Sequence, residues 1–368
     1  MKILYVAALN ETINSFLIPH IKKIIENGNS VDCACNINME IDEELIKLGV
    51  KYYNIKFERN PAKINYKNVI RDIKRVYREK NYDIVHVHTP IAAFLTRYAL
   101  RKENVKLIYT AHGFHFYRGA PIINWILYYP LERLAANWTD KLITINSEDY
   151  NRAKLFNLRN NGEVLLMNGV GITEEEYKVK DFNRDEYRKK LNINRNDFVL
   201  LILADINRNK NHIQVIKAME LINKKDNNIK IICAGDGPLK EKLINKIKER
   251  NLECKINFLG FRSDVKELIE VSDCIGLFSK REGLGKCLLE GMITEKALIA
   301  TNTRGPRELI EDNKNGFLVE VGDYKSTAIA IERLSNDSDI RKSFSIQSKI
   351  KVQKYLLKNI LNFIETIY

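Results

Sequence analysis

The chain has 368 residues, of which 45% are hydrophobic and 29% are charged, and its formal net charge is +13. This length exceeds the usual size of one hydrophobic core, so we expect two domains. No apolar run approaches the roughly eighteen residues of a membrane span, and the short apolar start meets polar residues at once, which disfavours a signal peptide.

The six cysteines form no CxxC pair. Most lie in apolar runs, which predicts reduced, buried thiols of a cytoplasmic protein. Cys33 and Cys35 alternate on a predicted strand, so their thiols share one face, but no further cysteine or histidine cluster accompanies them. A metal site there is therefore disfavoured.

The positive charge is concentrated between Arg59 and Lys80, a segment that contains eight basic and two acidic residues. Five of the basic residues recur at helical spacing, namely Lys67, Arg71, Lys74, Arg75 and Arg78. This spacing predicts a helix with one basic face, which is either simply solvated or binds an anionic partner such as a membrane surface. No nucleic-acid-binding motif is present, so a nucleic acid partner is not expected.

Strand and helix patterns alternate twice along the chain. Predicted strands are residues 2–7, 30–35, 50–55, 83–87, 106–110, 141–145 and 163–167, then 198–204, 229–234, 255–258, 274–278, 297–300 and 317–319. Helical patterns lie between them, for instance at 13–26, 64–79, 91–100, 122–137 and 148–156. The alternation predicts an α/β fold of two Rossmann-like, doubly wound domains that face a cleft, with ligands at the carboxyl ends of the strands.

The predicted domain boundaries are 1–170 and 171–351. A charged, poorly periodic segment at about 171–196 is expected to join the two domains. The amphipathic helix at about 352–368 is expected to pack back on the first domain.

Four of the six histidines fall at two adjacent strand ends in the first half, at His86, His88, His112 and His115. A zinc site is one interpretation, although no strand end supplies an obvious carboxylate or thiolate. His86 alternates with valines, which indicates a core role. His112 precedes Gly113 at the strand exit and is the better candidate to donate a hydrogen bond to a substrate oxygen.

Residues 279–290 lie between an apolar strand and a helical pattern. Glu282 and Gly283 fall on the turn, Gly285 lies near the helix start, and Glu290 follows within the helix. A helix N-terminus on such a turn favours phosphate, and two carboxylates spaced this way address both ends of an extended ligand. The alternative is a solvated acidic helix start.

Other strand ends of the second half carry glycines and basic residues, including Arg208, Lys210, Gly237, Arg281 and Arg304. Together they suit a nucleotide diphosphate, because glycine permits close backbone approach and cations offset the charge. Neither GxxxxGK[ST] nor GxGxxG after the first strand is present, which disfavours P-loop hydrolysis and nicotinamide chemistry.

As a set, four motifs resemble the retaining glycosyltransferases of family 4, which have the GT-B fold. They are Glu282-x7-Glu290, Gly235-Asp-Gly-Pro238, the Lys210 loop and Thr110-Ala-His-Gly113. The run from His86-Val-His-Thr-Pro90 through Tyr129-Pro-Leu-Glu-Arg133 is similar to the exopolysaccharide and capsule branch of that family.

The resemblance implies roles for individual residues. Glu282 would contact the donor hexose, Glu290 would hold the nucleotide ribose, and His112 would lie near the transferred sugar. Lys210 and the backbone of the turn would bind the diphosphate, the turn residues being Gly283, Leu284 and Gly285. The family's Gly-Arg-Leu reads Ala204-Asp205-Ile206 here, so Arg208 or Arg281 is the expected substitute for the missing arginine. The family's glycine-rich turn after the first strand is also absent.

The resemblance implies a cytoplasmic enzyme that moves a hexose or N-acetylhexosamine from a UDP-sugar to a saccharide acceptor in surface polysaccharide synthesis. No cofactor and no metal are expected, since the only DxD sequence, Asp337-Ser-Asp339, lies far from the predicted strand ends. The rival hypotheses are a nucleotide-sugar epimerase of the same fold and a non-catalytic basic binding protein.

The aromatic, apolar stretch 121–130 and the basic helix suggest a polyprenyl-diphosphate-linked acceptor and peripheral contact with the inner face of the membrane. The alternative is that Trp125 and Trp138 simply pack in the core.

Overall fold

The computed structural model describes residues 1–58, 64–222 and 228–368. Arg59 and Lys63 of the predicted basic segment lie outside the described residues. The chain divides into two compact units, the first formed by Met1–Gly171 with Leu357–Tyr368 and the second by Ile172–Leu356.

The first unit contains a seven-stranded parallel sheet of order β3-β2-β1-β4-β5-β6-β7. Its strands are β1 (Lys2–Leu9), β2 (Ser30–Asn36), β3 (Tyr52–Asn54), β4 (Ile84–His88), β5 (Lys106–Ala111), β6 (Lys141–Thr144) and β7 (Glu163–Leu166). Its helices are α1 (Asn10–Thr12), α2 (Ile18–Glu26), α3 (Glu43–Lys47), α4 (Tyr66–Lys80), α5 (Pro90–Leu100), α6 (Ile122–Ala136) and α7 (Ser147–Ala153).

The second unit contains a six-stranded parallel sheet of order β10-β9-β8-β11-β12-β13. Its strands are β8 (Phe198–Leu203), β9 (Ile229–Ala234), β10 (Ile256–Gly260), β11 (Cys274–Leu277), β12 (Ala297–Thr301) and β13 (Phe317–Val319). Its helices are α8 (Arg184–Lys190), α9 (Ile213–Ile222), α10 (Lys240–Lys248), α11 (Val265–Val271), α12 (Lys286–Ile293), α13 (Arg304–Leu309), α14 (Tyr324–Asn336) and α15 (Ser338–Lys351). Helix α16 (Leu357–Ile367) returns to the first unit, where it packs against α2.

The strands are short apolar runs because helices cover both faces of each sheet. All residues of β4, β11 and β12 are buried, and in β1 only the two ends are not. Sheets buried on both faces require such continuous apolar strands, whereas a half-exposed sheet would alternate. The prediction of an α/β fold with two doubly wound parallel sheets is confirmed.

The first helical segment differs from its prediction, which began at residue 13. The chain enters α1 directly at Asn10, continues through a π-helical stretch at Ile13–Leu17 and then forms α2. Asn10 is fully buried, and its amide nitrogen donates to the carbonyl oxygens of Met39 and Glu40. These bonds hold the turn after β1, which in this chain lacks the glycine-rich sequence.

The segment at 172–196, expected to join the domains, packs within the second unit. Arg188 of α8 is almost completely buried, and its guanidinium donates to the carbonyl oxygens of Val271 and Asp197 and to the Asp273 carboxylate. Asp273 also accepts the backbone N–H of Val199 in β8. This network ties the segment to the edge where β8 and β11 begin.

Replacing Arg188 by alanine should lower the free energy of unfolding by about 3 kcal/mol, because the carbonyl oxygens of Val271 and Asp197 lose a donor and the half-buried Asp273 carboxylate keeps only Arg184 as an ion-pair partner. Arg195→Ala is the matched control, since the Arg195 side chain is 83% exposed. Urea unfolding followed by circular dichroism measures both variants. Equal stabilities for the two would show that the Arg188 network contributes little.

None of the helices within the described ranges has the length and apolar character needed to cross a bilayer.

Candidate active site

The reversal of strand order in the second sheet places the loops after β8 and β11 side by side. The first loop carries Lys210 and the second carries Glu282, and the Lys210 Nζ lies 2.7 Å from Glu282 Oε1. Burial lowers the pKa of Lys210, but the neighbouring Glu282 carboxylate outweighs burial and leaves the pKa above its ordinary value. Both predicted residues therefore lie in one site at the switch point of the sheet.

Three polar side chains hold the backbone of the β11–α12 turn. Arg304 donates from Nε to the carbonyl oxygen of Glu282 at 3.0 Å, and Asn209 donates to that of Arg281 at 3.0 Å. The Thr301 hydroxyl donates to the carbonyl oxygen of Ser279 at 2.5 Å. The sequence places Arg304 among the basic residues at strand ends that suit a diphosphate, but it does not predict that Arg304 bonds to the turn, and it does not single out Asn209 or Thr301.

Gly285 forms the N-cap of helix α12 with a φ of 104°. Residues other than glycine rarely adopt this backbone conformation. A Cβ at this position would also lie 2.9 Å from Cδ2 of Leu277. Gly283 and the buried Leu284 complete the turn. The predicted strand–turn–helix arrangement is confirmed, with the N-terminus of α12 on the same turn as Glu282.

Glu290 lies within α12 and is 9% exposed. The Tyr177 hydroxyl donates to Glu290 Oε1 at 2.8 Å, and the Lys286 Nζ lies 3.9 Å from the same oxygen. Burial raises the pKa of Glu290, and Lys286 and Tyr177 offset only part of that effect. Tyr177 lies in the charged segment at 172–196, where no sequence pattern predicts this contact.

The glycine at 237 serves packing within the protein. A Cβ there would lie 2.5 Å from the carbonyl oxygen of Ile206. The Ile206 N–H also donates to the carbonyl oxygen of Asp236, in the same turn as Gly237, at 2.8 Å. The turn after β9 thus rests on the loop after β8. This packing requires a glycine at 237, and a contact of Gly237 with the nucleotide stays a prediction.

Arg208 and Arg281 lie on the same two loops as Lys210 and Glu282. Arg208 is exposed, whereas Arg281 is half-buried. Arg304, which is 4% exposed and bonded to the turn itself, is a third cation at this edge.

In the first unit, His112 follows β5 and His88 ends the neighbouring β4. The Nδ1 of His88 lies 3.1 Å from Nε2 of His112, and the His88 ring stacks on His86 with centroids 4.4 Å apart. His86 is 1% exposed and contacts the hydroxyls of Thr110 and Tyr368, which confirms its core role. Burial, with a smaller contribution from His20, lowers the pKa of His112 to about 4. His112 is therefore neutral at physiological pH.

The zinc hypothesis finds no support in the described part of the chain, where no group of three or more His, Cys, Asp or Glu side chains is arranged to hold a metal ion. Asp337 of the DxD sequence instead caps α15, since its carboxylate accepts the backbone N–H groups of Asp339 and Ile340.

His212 follows the Lys210 loop and is 2% exposed. Burial, with Lys210 nearby, lowers the pKa of its imidazole to about 4. An unfolded histidine titrates near 6.5, so between these values the unfolded chain binds the extra proton and stability falls as the pH falls.

The free energy of unfolding should decrease between pH 7 and pH 5 in the wild-type protein. We expect this decrease to be about 2 kcal/mol smaller in His212→Phe. Urea unfolding at the two pH values measures this difference. Phe258→Leu is the control, because the Phe258 ring packs beside His212 but does not titrate. A wild-type pH dependence in His212→Phe would contradict the assignment.

Comparison with known proteins agrees with this geometry. Residues 2–146 match the family described as glycosyl transferase 4-like, and residues 183–351 match glycosyl transferases group 1. EpsD of Bacillus subtilis (strain 168), whose name places it among the glycosyltransferases, is 37% identical over 92% of this chain and 88% of its own length.

A second relative is the Escherichia coli UDP-Gal:alpha-D-GlcNAc-diphosphoundecaprenol alpha-1,3-galactosyltransferase. It is 29% identical over 77% of this chain and 74% of its own length. Among solved structures, HepE of Anabaena in complex with UDP has a TM-score of 0.81 at 19% identity, covering 100% of this chain and 99% of HepE. Sucrose-phosphate synthase of Thermosynechococcus elongatus has a TM-score of 0.80 at 14% identity, covering 100% of this chain and 98% of that protein.

Two Rossmann-like parallel-sheet units with these structural neighbours define the GT-B fold, and the enzyme class is that of the glycosyltransferases. With 37% identity to EpsD over 92% of its length, the chain belongs to the group 1 glycosyltransferases, with a family 4-like N-terminal half.

Proposed function

We propose that this enzyme transfers a hexose or N-acetylhexosamine from a UDP-sugar to a polyprenyl-diphosphate-linked saccharide, with retention of the anomeric configuration. The observation that carries the proposal is the Lys210–Glu282 pair beside the N-terminus of α12, with Glu290 buried in the same helix. HepE binds UDP, and the related E. coli enzyme acts on a diphosphoundecaprenol-linked sugar, which supports both the donor and the acceptor class.

In this proposal Glu290 accepts hydrogen bonds from the ribose hydroxyls. Its carboxylate is already oriented by Tyr177 at 2.8 Å, so the ligand would meet a fixed acceptor. Glu282 would accept from the donor sugar, and the ion pair with Lys210 holds that carboxylate in place at 2.7 Å.

The leaving diphosphate would be stabilised by Lys210 and by the N–H groups at the start of α12. Fixed positive charge at the leaving oxygen lowers the barrier because that oxygen gains charge in the transition state. With these groups offsetting the charge of the diphosphate, the proposed reaction needs no metal ion. The departing phosphate would accept the proton of the acceptor hydroxyl.

Glu282 and Glu290 are not proposed as the flanking carboxylates of a retaining glycosidase, since such a pair must bracket one bond. Glu282 on the turn pairs with Lys210, whereas Glu290 within α12 accepts a hydrogen bond from the Tyr177 hydroxyl. His112, neutral at physiological pH, is proposed as a hydrogen-bond partner of the transferred sugar.

The assignment is tested by two substitutions with opposite kinetic signatures. Glu290→Ala should weaken UDP binding by about tenfold to a hundredfold, because a charged acceptor of hydrogen bonds is lost. Glu282→Gln should lower kcat by about a hundredfold while UDP binding changes little. Isothermal titration with UDP and a donor-hydrolysis assay measure the two effects.

Glu253→Ala is the control, because Glu253 is an exposed acid of the same unit at the opposite edge of its sheet, before β10. Unchanged UDP affinity and turnover in both site variants would remove the basis of the proposal.

We further propose that the basic face of α4 contacts anionic lipid at the inner face of the membrane. Lys67, Arg71, Arg75 and Arg78 are exposed on this helix, and only Arg71 and Arg75 approach an acidic side chain, that of Asp72, among the described ion pairs.

Each exposed basic side chain near an anionic surface contributes about 1 kcal/mol at low salt. Lys67→Ala/Arg78→Ala should therefore weaken flotation with phosphatidylglycerol liposomes by about tenfold or more. Lys246→Ala/Lys248→Ala on α10 is the control with the same charge change. A wild-type protein that ignores these liposomes at low salt would exclude membrane contact by this face.

A further inference from the structure

An apolar cavity of about 300 Å³ lies within the first unit, between α5 and α6 and beside the chain that follows β5. Its volume is at the lower end of the range for small-molecule sites, about 300–1,000 Å³. Its lining includes Phe94 of α5, Phe114 and Phe116 after β5, Leu127 and Leu131 of α6, and Tyr66 at the start of α4.

The cavity offers hydrocarbon and aromatic surface with little charge. Glu132, the one acid among the lining residues that the structure describes, is paired with Arg97 at 2.7 Å, and Arg97 also lies over the Tyr109 ring at 4.2 Å. Arg97 is fully buried. The carboxylate is thus neutralised from behind, so the walls suit a hydrocarbon chain better than a sugar or a nucleotide.

Helix α6 continues the apolar surface outside the cavity. Ile122, Ile123 and Ile126 are 77%, 63% and 66% exposed, and the cavity residues Leu127 and Leu131 are 49% and 39% exposed. A soluble protein rarely exposes so continuous a row of large apolar side chains unless it binds something there.

The two tryptophans are not part of this row. Both are half-buried, Trp125 packing on Phe116 and Tyr129 and Trp138 packing on Phe94 and Tyr98, so they lie against the core and not within it.

Charge at the edge of the cavity favours an anionic head group. Tyr66, which lines the cavity, is followed in α4 by the exposed basic side chains Lys67 and Arg71. Phe114, another lining residue, follows His112 by two positions. A ligand with a hydrocarbon chain and a diphosphate therefore matches both the cavity and its surroundings.

We propose that this cavity binds the first isoprenoid units of a polyprenyl diphosphate, so that the acceptor is selected by its lipid as well as by its sugar. The inference rests on the proposed function for its acceptor class. It assigns to residues of α5 and α6 a site that is separate from the donor residues of the second unit.

The test uses the full chain and farnesyl diphosphate as the probe, with binding measured by titration calorimetry. Leu131→Trp fills the mouth of the cavity and should weaken farnesyl diphosphate at least tenfold. Leu134→Trp is the matched control, because Leu134 lies on the same helix and is 48% exposed but does not line the cavity. Leu127→Trp is a second filling variant, and its effect should match that of Leu131→Trp.

Further arms identify the ligand chemistry. Inorganic diphosphate should bind at least tenfold more weakly than farnesyl diphosphate, and decanoate should not compete with it. Equal binding of inorganic diphosphate would show a simple anion site, effective competition by decanoate would show a fatty-acyl site, and either result would overturn the proposal. A dimer that Ile126→Ser dissociates, with no farnesyl diphosphate bound, would assign the face to a second copy of the chain and would also overturn it.

UDP affinity, measured on every variant, separates this inference from the proposed function. Normal UDP binding without farnesyl diphosphate binding refutes the lipid site alone. If the wild-type chain does not bind UDP, the donor assignment is refuted. The farnesyl diphosphate affinities of the cavity variants still test the lipid site in that case.

Discussion

The candidate site depends on a single topological constraint, the reversal of strand order between β8 and β11. Strands wound outward in both directions from this point leave their two loops adjacent, with no helix between them. Lys210 and Glu282 lie 72 positions apart in the sequence, yet their charged atoms are 2.7 Å apart. The other contacts at the site, such as Arg304 and Asn209 on the turn, act by fixing loops that the topology has already brought together.

Both sheets place their polar residues at the same structural position but use different chemistry. The second unit collects charged groups whose pKa values shift in ways that follow from pairing and burial, as at Lys210 and Glu290. The first unit instead stacks neutral imidazoles, with burial lowering the pKa of both His86 and His88 well below the ordinary value. The strand ends of the second unit are therefore suited to anions, whereas the imidazoles at the strand ends of the first unit are suited to uncharged hydroxyl groups.

Much of this arrangement was predictable because it follows from local sequence. Buried parallel strands are continuous apolar runs, and the glycine at 285 marks a turn that other residues cannot form, so both the sheets and the β11–α12 turn were found. Contacts between distant segments were not predictable. Tyr177 reaches Glu290 across 113 positions, and nothing in the charged sequence around it distinguishes this tyrosine from a surface residue. Likewise the close approach of the glycine at 237 to the backbone of Ile206 was not predictable, because it joins two loops that follow different strands.

The return of Leu357–Tyr368 to the first unit has a consequence for the order in which the protein is assembled on the ribosome. The Tyr368 hydroxyl contacts His86 and lies 2.6 Å from the Tyr5 hydroxyl, beneath the strand ends that carry His88 and His112. This segment is synthesised only after all of Ile172–Leu356. His86 therefore acquires its final packing after the second unit has emerged, and a nascent first unit would hold this imidazole without the Tyr368 hydroxyl that contacts it.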